Sequence, residues 1–467
     1  MDFDKVIRAL RRRYVKIQSR LEAGIADRWV PLFGSVLLIG VLARTAIVSL
    51  ESGRLGPNAG RYAQALLDLR QSEFGSIPIS GAESSVAELF GPVLLAPLVL
   101  LVGLVDPIRL LLLVQAVALG ITVVPLWRLG REVVSLRLSA VAVLIAVFSL
   151  HPLVHELALS DFHPETLAVP MIVGLALASA QNRKLLYWLM AIGLVLLRFD
   201  LGLAVMVWGV VQLREGKPEL AIRTIGIAAA WSLGALLILH PVIGVDELSW
   251  GENLFRRSNI NLAIPLFVPF LFTPFLYPRY LIPAAPIAIL YFVADGLVGF
   301  GTPVPIIIGF SAVAAAYALR RLGQLGVTSV FVDVRLLGAM ALAAVVIYTT
   351  ASPLSPYERP WLLDSQNDTA LSVDAAVAEL DDGDNLRVSS SVASSVAGDF
   401  NYSEFGTPEF PTAVSASQND SDAVVLVLDD YPETDSEAIE ALRVQLVAIG
   451  FSEVFADAEV IAYRKAG

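Results

Sequence analysis

A succession of apolar runs long enough to cross a bilayer, recurring from Trp29 to Ala351, governs what this chain can become. A helix rises about 1.5 Å per residue, so a hydrocarbon core of roughly 30 Å takes about 20 residues. The stretch "WVPLFGSVLLIGVLARTAIVSL", residues 29–50, meets that length unaided. Inside hydrocarbon every backbone N–H and C=O needs a partner within the protein, which leaves bundled helices as the architecture for such runs. The composition follows, with 56% hydrophobic residues, 16% charged and a mean hydropathy of +0.69. Soluble domains carry about 25% charged residues. The 467 residues include no cysteine, which excludes disulfides, thiolate metal sites and a cysteine nucleophile.

Charge placement sets the expected orientation. The first 28 residues carry Lys5, Arg8, "RRRYVK" at 11–16, Arg20 and Arg28, so residues 1–28 read as a basic cytoplasmic N-terminus lying against anionic lipid. The run at 29–50 is too long for a signal-peptide core and reads as an uncleaved anchor. The run "GPVLLAPLVLLVGLV", 91–105, covers only about 22 Å. Counting it as a span would also put Arg128, Arg131 and Arg137 outside, so it reads as non-spanning. The other spans fall near 108–127, 139–154, 166–180, 185–198, 199–213, 220–241, 260–277, 281–298, 303–319 and 335–351. With the first, that makes about eleven. The basic turns "QNRK" (181–184), "REGKPE" (214–219) and "RRLG" (320–323) then land inside. Residues 29–351 form the expected multi-span membrane domain, with a large outer loop at 51–107.

Beyond "SPLSPYERP" (352–360) the chain turns acidic. From Asp364 to the end there are 21 Asp/Glu against 4 Arg/Lys, a balance that keeps a surface hydrated and argues against nucleic acid as a partner. Residues 352–365 read as a linker and 366–467 as a small acidic α/β domain outside the membrane. The stretches "TALSVDAAVAEL" (369–380) and "DSEAIEALRVQLVAIG" (435–450) read as helices, the second with Gly450 at its end. The stretches "NLRVSSSV" (385–392) and "DAVVLVLDD" (422–430) read as strands, and "FSEVFADAEVIAYRK" (451–465) as a closing hairpin. The expected fold is therefore mostly α, a polytopic membrane protein, with a small C-terminal α/β extracytoplasmic domain.

On this topology the outer face collects the chemistry-bearing residues. Three of the four histidines, His151, His155 and His163, fall within "HPLVHELALSDFHPETLAVP" (151–170), with Asp161 and Glu165 among them. Asp161, His163 and Glu165 present oxygen, nitrogen and oxygen within five residues, a set that could hold a divalent ion bridging a phosphate. Equally, Asp161 or His163 could cap a helix opening at Pro164. His151 and His155, at i and i+4, read as interfacial anchors. Arg198 and Asp200 in "RFD" form either an ion pair or, through the arginine fork, a phosphate contact. Arg256 and Arg257 in "ENLFRRSN" are outside as well. The helix "GRYAQALLDLRQ" (60–71) reads as amphipathic, carrying Arg61 and laying its apolar face in lipid.

The order of "NAGRYAQALLDL", "LLLLVQAVALGITVVPLWRLGREV", "SDFHPETLAVP", "LRFDLGL" and a tail running from "NLRVSSSVA" through "DAVVLVLDD" to "AYRK" resembles a known group. It is similar to an uncharacterised family of predicted polytopic membrane proteins related to the C-type (GT-C fold) glycosyltransferases. The resemblance implies transfer of a sugar from a polyprenyl-phosphate carrier on the outer face. It implies catalytic roles for Asp161, His163 and Glu165, with or without a divalent metal ion, and substrate contacts at Asn58, Tyr62, Gln64, Arg198 and Asp200. The family pattern has an aspartate followed by Tyr and Gln after the first span. Here Tyr62 and Gln64 stand in place, but the acidic position is Asn58, which cannot accept a proton. A histidine expected before Pro92 is absent from "LFGP", and Arg198, Phe199 and Asp200 stand where Lys-Glu-Asp is usual. Glu51, Glu83 and Glu88 share the loop and could substitute as the acid. The alternative is a non-catalytic membrane protein that binds or positions envelope lipids or glycans.

Overall fold

The structure is a computed structural model that describes residues 25–71, 94–198, 200–243, 249–250, 257–295, 302–325, 329–357, 368–381, 383–397, 399–405, 411–412, 421–431, 436–457 and 459–465. Glu83, Glu88, Arg256 and the side chain of Arg257 lie outside the described residues. Helix α1 (Ile25–Glu51) is followed by α2 (Pro57–Gln71), α3 (Pro107–Ile121) and α4 (Val123–Arg128). Next come α5 (Leu138–Ser149), α6 (Pro152–Leu159), α7 (Ala168–Ala180), α8 (Lys184–Leu197), α9 (Leu201–Arg214) and α10 (Pro218–Ile243). Then α11 (Arg257–Phe267), α12 (Ala285–Val293), α13 (Val304–Leu322) and α14 (Val334–Ala351) complete the bundle.

Among the described residues five stretches are long and apolar enough to cross a membrane: Ala26–Glu51, Pro107–Val133, Leu138–Leu159, Val304–Leu322 and Val334–Ala351. Shorter apolar helices cover Pro164–Ala180, Lys184–Leu197 and Leu201–Arg214. Burial separates their roles. Val304–Leu322 is mostly enclosed by its neighbours, whereas α1 exposes Phe33, Val36 and Leu37 and α14 exposes Val334 and Leu342, the stripes that meet lipid. Of the run at 91–105, the described residues 94–105 include a short 3₁₀ turn, Ala96–Leu100, and further turns, with Arg70 Nη1 donating to Val102 O at 2.8 Å.

The spans expected at 260–277 and 281–298 take another form. Helix α11 is 11 residues long and α12 is 9, and between them lie three 3₁₀ turns, Thr273–Leu276, Pro278–Tyr280 and Ile282–Ala284. Pro269, Pro274, Pro278 and Pro283 each lack the N–H that a continuous helix needs. Leu271 and Phe272 sit at φ +48° and +54°, a left-handed conformation costing about 1–2 kcal/mol per residue, which turns the chain where the apolar pattern would run on.

Side-chain bonds tie the two ends of the bundle differently. At one end Arg131 Nε donates to Asp27 Oδ1 at 2.7 Å, Lys217 Nζ donates to Ser179 O at 2.6 Å, and Arg321 Nη1 donates to Leu276 O at 2.9 Å. This basic end gathers the arginine-rich turns. The other end holds α2, the 160–167 connection and the start of α13.

The C-terminal portion is an α/β layer. Ahead of that layer, within residues 249–331, strands β1 (Ser249–Trp250) and β2 (Ala294–Asp295) form one small ladder, and β3 (Gln324–Leu325) and β4 (Val330–Phe331) another. After α15 (Asp368–Ala378) come β5 (Asn385–Val388), α16 (Ala393–Val396), β6 (Asn401–Glu404), β7 (Ala423–Val427), α17 (Ser436–Ala448), β8 (Phe451–Ala456) and β9 (Val460–Lys465). The five-stranded sheet has order β6-β5-β7-β9-β8. Strand β5 pairs in parallel with β6 and β7, while β7–β9 and β8–β9 are antiparallel. Alternation divides its faces. Leu386, Val388, Val425 and Ala462 pack with Val373 and Ala376 of α15, and Val424, Leu426, Ile461 and Tyr463 pack with Leu442 and Leu446 of α17. Covered on both sides, β7 is buried at every residue.

Helix α2 does not lie in lipid as its amphipathic pattern suggested. Its apolar face, Ala59, Ala63 and Leu66, packs on Leu55, Leu95, Leu111 and Phe162, and its other side meets the tail. A Cβ on Gly60 would stand 2.4 Å from Ala393 O, and Arg61 forks onto Glu404 at 2.7 and 2.6 Å. The apolar stripe thus finds protein before it finds lipid. Gly60→Ala is expected to push α2 and α16 apart and destabilise the protein by about 1–3 kcal/mol, read as a lower thermal midpoint in detergent with faster amide exchange in both helices.

Candidate functional site

The candidate site is built on the connection between α6 and α7. Helix α6 ends at Leu159, residues 161–163 run without helix, and Pro164 opens a 3₁₀ turn, Pro164–Leu167, from an extended His163 at φ −124°. A residue before proline is pushed out of the helical region, which explains why the chain straightens here. Gln115 on α3, only 1% exposed, holds this segment. Its Nε2 donates to Leu157 O at 2.7 Å and to Asp161 O at 2.8 Å, and its Oε1 accepts from His163 N at 2.7 Å.

Asp161 caps a helix, but not the one that its sequence position suggests. Its Oδ2 accepts from Asn58 N at 2.9 Å and its Oδ1 from Ala59 N at 2.9 Å and from Phe162 N at 2.7 Å. Asn58 and Ala59 are in the first turn of α2, whose N–H groups have no partner within the helix. The residue before α2 is Gly56, which has no side chain to offer, and a Cβ there would stand 2.5 Å from Asp161 Oδ2. Gly56 N also donates to Ser160 O at 2.9 Å. The carboxylate thus completes α2 across the fold and meets the positive end of its dipole. Burial pushes the Asp161 carboxyl above its ordinary value, against the pull of the backbone N–H groups and of His163.

Glu165 faces the other way. Arg198 Nε and Nη2 donate to the two oxygens of Asp200, both at 2.6 Å, and Nη1 donates to Glu165 Oε1 at 2.8 Å. All three side chains are buried, so two carboxylates share one guanidinium. Glu165 Oε2 has no hydrogen-bond partner among the described residues. The ion-pair reading of Arg198 and Asp200 holds, and every arm of the arginine that makes these bonds is committed.

The sequence-predicted residues therefore divide into two groups. Asn58 Oδ1 accepts from Arg61 Nη1 at 3.3 Å, and Tyr62 meets Phe162 edge-on at 5.2 Å, so both stand beside Asp161. Gln64 Nε2 donates to Asp68 Oδ1 at 2.9 Å, further along α2. Asp161, His163 and Glu165 do not converge: the first turns to α2 and the third to Arg198. Among the described residues no group of three or more His, Asp and Glu side chains is placed to hold a metal ion. The His163 imidazole is half-buried beside Asp161 and makes no side-chain hydrogen bond among the described residues. His151 and His155 are interior residues rather than interfacial anchors. His151 Nε2 meets Leu266 O at 3.2 Å, and His155 lies between Ser149 O and Ser352 Oγ, both at 2.8 Å.

Sequence reasoning missed Gln115, Gly56 and Glu404. The lone amide in "LLLLVQAVALG" was the available signal for Gln115, since a polar group inside an apolar run needs partners. Below the connection, α3 and α7 enclose an apolar groove of about 330 Å³, lined by Leu113, Val117, Ile121, Leu167, Pro170 and Met171.

An apolar helical bundle, with a surface helix capped from an interhelical connection and an α/β layer docked on that helix, defines a polytopic membrane protein of GT-C-like fold. The fold is similar to the crystal structure of ArnT from Cupriavidus metallidurans bound to undecaprenyl phosphate, a GT-C glycosyltransferase. The TM-score is 0.59 at 13% sequence identity, covering 92% of this chain and 98% of that one. Residues 69–250 match the model of a family described as predicted membrane protein (DUF2079). No curated protein matches the sequence.

Substitutions at Asp161 and in the Arg198 cluster check this geometry. Asp161→Ala is expected to speed amide exchange in the first turn of α2 and cost about 1–3 kcal/mol, with Asp161→Asn recovering part through its one acceptor oxygen. Arg198→Ala, which strands two buried carboxylates, is expected to cost about 3–5 kcal/mol. The triple change Glu165→Gln, Arg198→Met, Asp200→Asn should restore much of the thermal midpoint.

Proposed function

We propose that this protein is a membrane glycosyltransferase taking a sugar from a polyprenyl-phosphate carrier at the face that holds α2 and the tail. The observation that carries the reading is the likeness of fold, over 92% of the chain, to a transferase bound to undecaprenyl phosphate. The apolar groove between α3 and α7 supports it, since it runs from lipid-facing Val117 and Ile121 up to Leu167, two residues from Glu165. In this reading the carrier's chain lies along the groove and its headgroup reaches the 160–167 connection. His163 is the group available to move a proton or contact the phosphate, oriented by Asp161 and by the Gln115 bond to its own N–H. Asn58, Arg61 and Tyr62 border the same space. Asp161, Glu165, Arg198 and Asp200 position these elements. The three expected ligands do not share an ion, so no step runs through a metal held by them. In this reading the N-terminus lies in the cytoplasm, and the acidic tail after the 352–365 linker lies outside, docked on α2.

The second reading, a non-catalytic protein that binds or positions envelope lipids or glycans, is favoured by one observation. The expected acid is Asn58, and the carboxylate beside it, Asp161, is engaged by three backbone N–H groups. Deleting the gene and profiling lipid-linked sugars by mass spectrometry separates the two. The transferase reading expects a sugar-lipid to accumulate, wild type to clear it, and His163→Ala to reach the membrane yet fail to clear it. A deletion that leaves lipid-linked sugars and envelope glycans unchanged leaves the binding protein.

A further inference from the structure

The basic end of the bundle carries a surface that the proposed site does not use. Where the chain turns through Leu271 and Phe272, it presents Phe272, Phe275, Leu276 and Ile282, each between 44% and 50% exposed. Phe275 packs on Phe267 at 4.7 Å and lies 6.2 Å from Phe272, so these side chains form one apolar ledge.

Cations stand directly behind that ledge. Arg321 Nη1 donates to Leu276 O at 2.9 Å, and Arg320 Nη1 donates to Val133 O at 3.4 Å. Arg279 Nη2 lies 3.1 Å from Glu215 Oε1, and Lys217 Nζ lies 3.8 Å from Glu215 Oε2. Arg214, Arg320 and Arg321 are exposed. Among the described residues Glu219 pairs with Arg223 and Glu215 with Arg279 and Lys217, Glu132 accepts from the neutral Gln181 amide and keeps its charge, and neither Arg320 nor Arg321 forms an ion pair. Arg320 and Arg321 spend a bond each on a neutral carbonyl and keep their charge. An exposed apolar ledge beside uncompensated guanidinium groups, at a bilayer boundary, is complementary to a molecule that is apolar at one end and anionic at the other.

We propose that this surface seats an anionic phospholipid of the adjoining leaflet. The phosphate lies on Arg320, Arg321 and Arg279, and an acyl chain lies along Phe272, Phe275 and Ile282. The site is at the opposite end of the bundle from His163, so it stands whether or not the transferase reading does.

Native mass spectrometry of the full chain, titrated with phosphatidylglycerol or phosphatidylcholine, tests the proposal. Wild type should retain phosphatidylglycerol in preference, and added salt should weaken that binding while leaving phosphatidylcholine unchanged. Arg320→Gln with Arg321→Gln leaves the Glu215 cluster intact and should lower phosphatidylglycerol affinity by roughly 25-fold, about fivefold for each arginine. Arg223→Gln, on the same end but paired with Glu219, should bind as wild type does. Equal retention of the two lipids by wild type overturns the proposal, as does a double variant that unfolds at the wild-type temperature and still prefers phosphatidylglycerol. The salt dependence is read on wild type and needs no variant to fold.

Discussion

The end of this molecule that holds α2 depends on a carboxylate meeting the open end of a helix. Asp161 is buried at the edge of an apolar bundle, where an ion without donors would be costly. Helix α2 starts with N–H groups that no residue of its own can satisfy, because Gly56 precedes it. Each supplies what the other lacks. From that junction the rest of this end is assembled. α2 presents Gly60 and Arg61 to the tail, Gln115 fixes the chain on either side of Asp161, and Pro164 turns Glu165 away toward Arg198. The connection therefore links three otherwise separate parts: the surface helix, the buried ion cluster and the α/β layer.

Much of the fold was legible because hydropathy and periodicity are local. The apolar runs at 139–154, 303–319 and 335–351 coincide with helices that start within a residue of where the pattern begins. In the tail the expected helices coincide with α15 and α17 and the closing hairpin with β8 and β9. The strand expected at 385–392 ends instead at Val388, ahead of a 3₁₀ turn, Ser390–Val392, and α16 and β6 had no counterpart in the expectation. Reading failed where apolar content and helix formation part company. In 260–298 the residues are apolar enough to span, but closely spaced prolines remove the donors that a continuous helix requires. The apolar stripe of α2 was visible as well, yet a stripe does not say whether lipid or protein covers it. Here Gly60 permits a backbone approach too close for any side chain.

The site was harder to read for a different reason. Asp161, His163 and Glu165 are spaced like ligands to one ion, and spacing was all that the sequence could offer. Their partners lie 103 residues upstream at Asn58 and 33 residues downstream at Arg198. Such distances leave no trace in a local pattern. At 13% identity to ArnT the likeness is one of helix arrangement, so the roles of side chains have to be argued from this chain's own bonds. Those bonds make Arg198 the shared counter-ion of two acids, and they leave His163 as the uncommitted member of the stretch.

The pairing of Gly56 with Asp161 bears on how relatives of this chain should be compared. The two positions are distant in the sequence and would be assigned to different motifs, yet they behave as a single character. A larger residue at 56 evicts the carboxylate, and losing the carboxylate removes the reason for glycine. An alignment scored column by column would count a joint change at 56 and 161 as two unrelated ones.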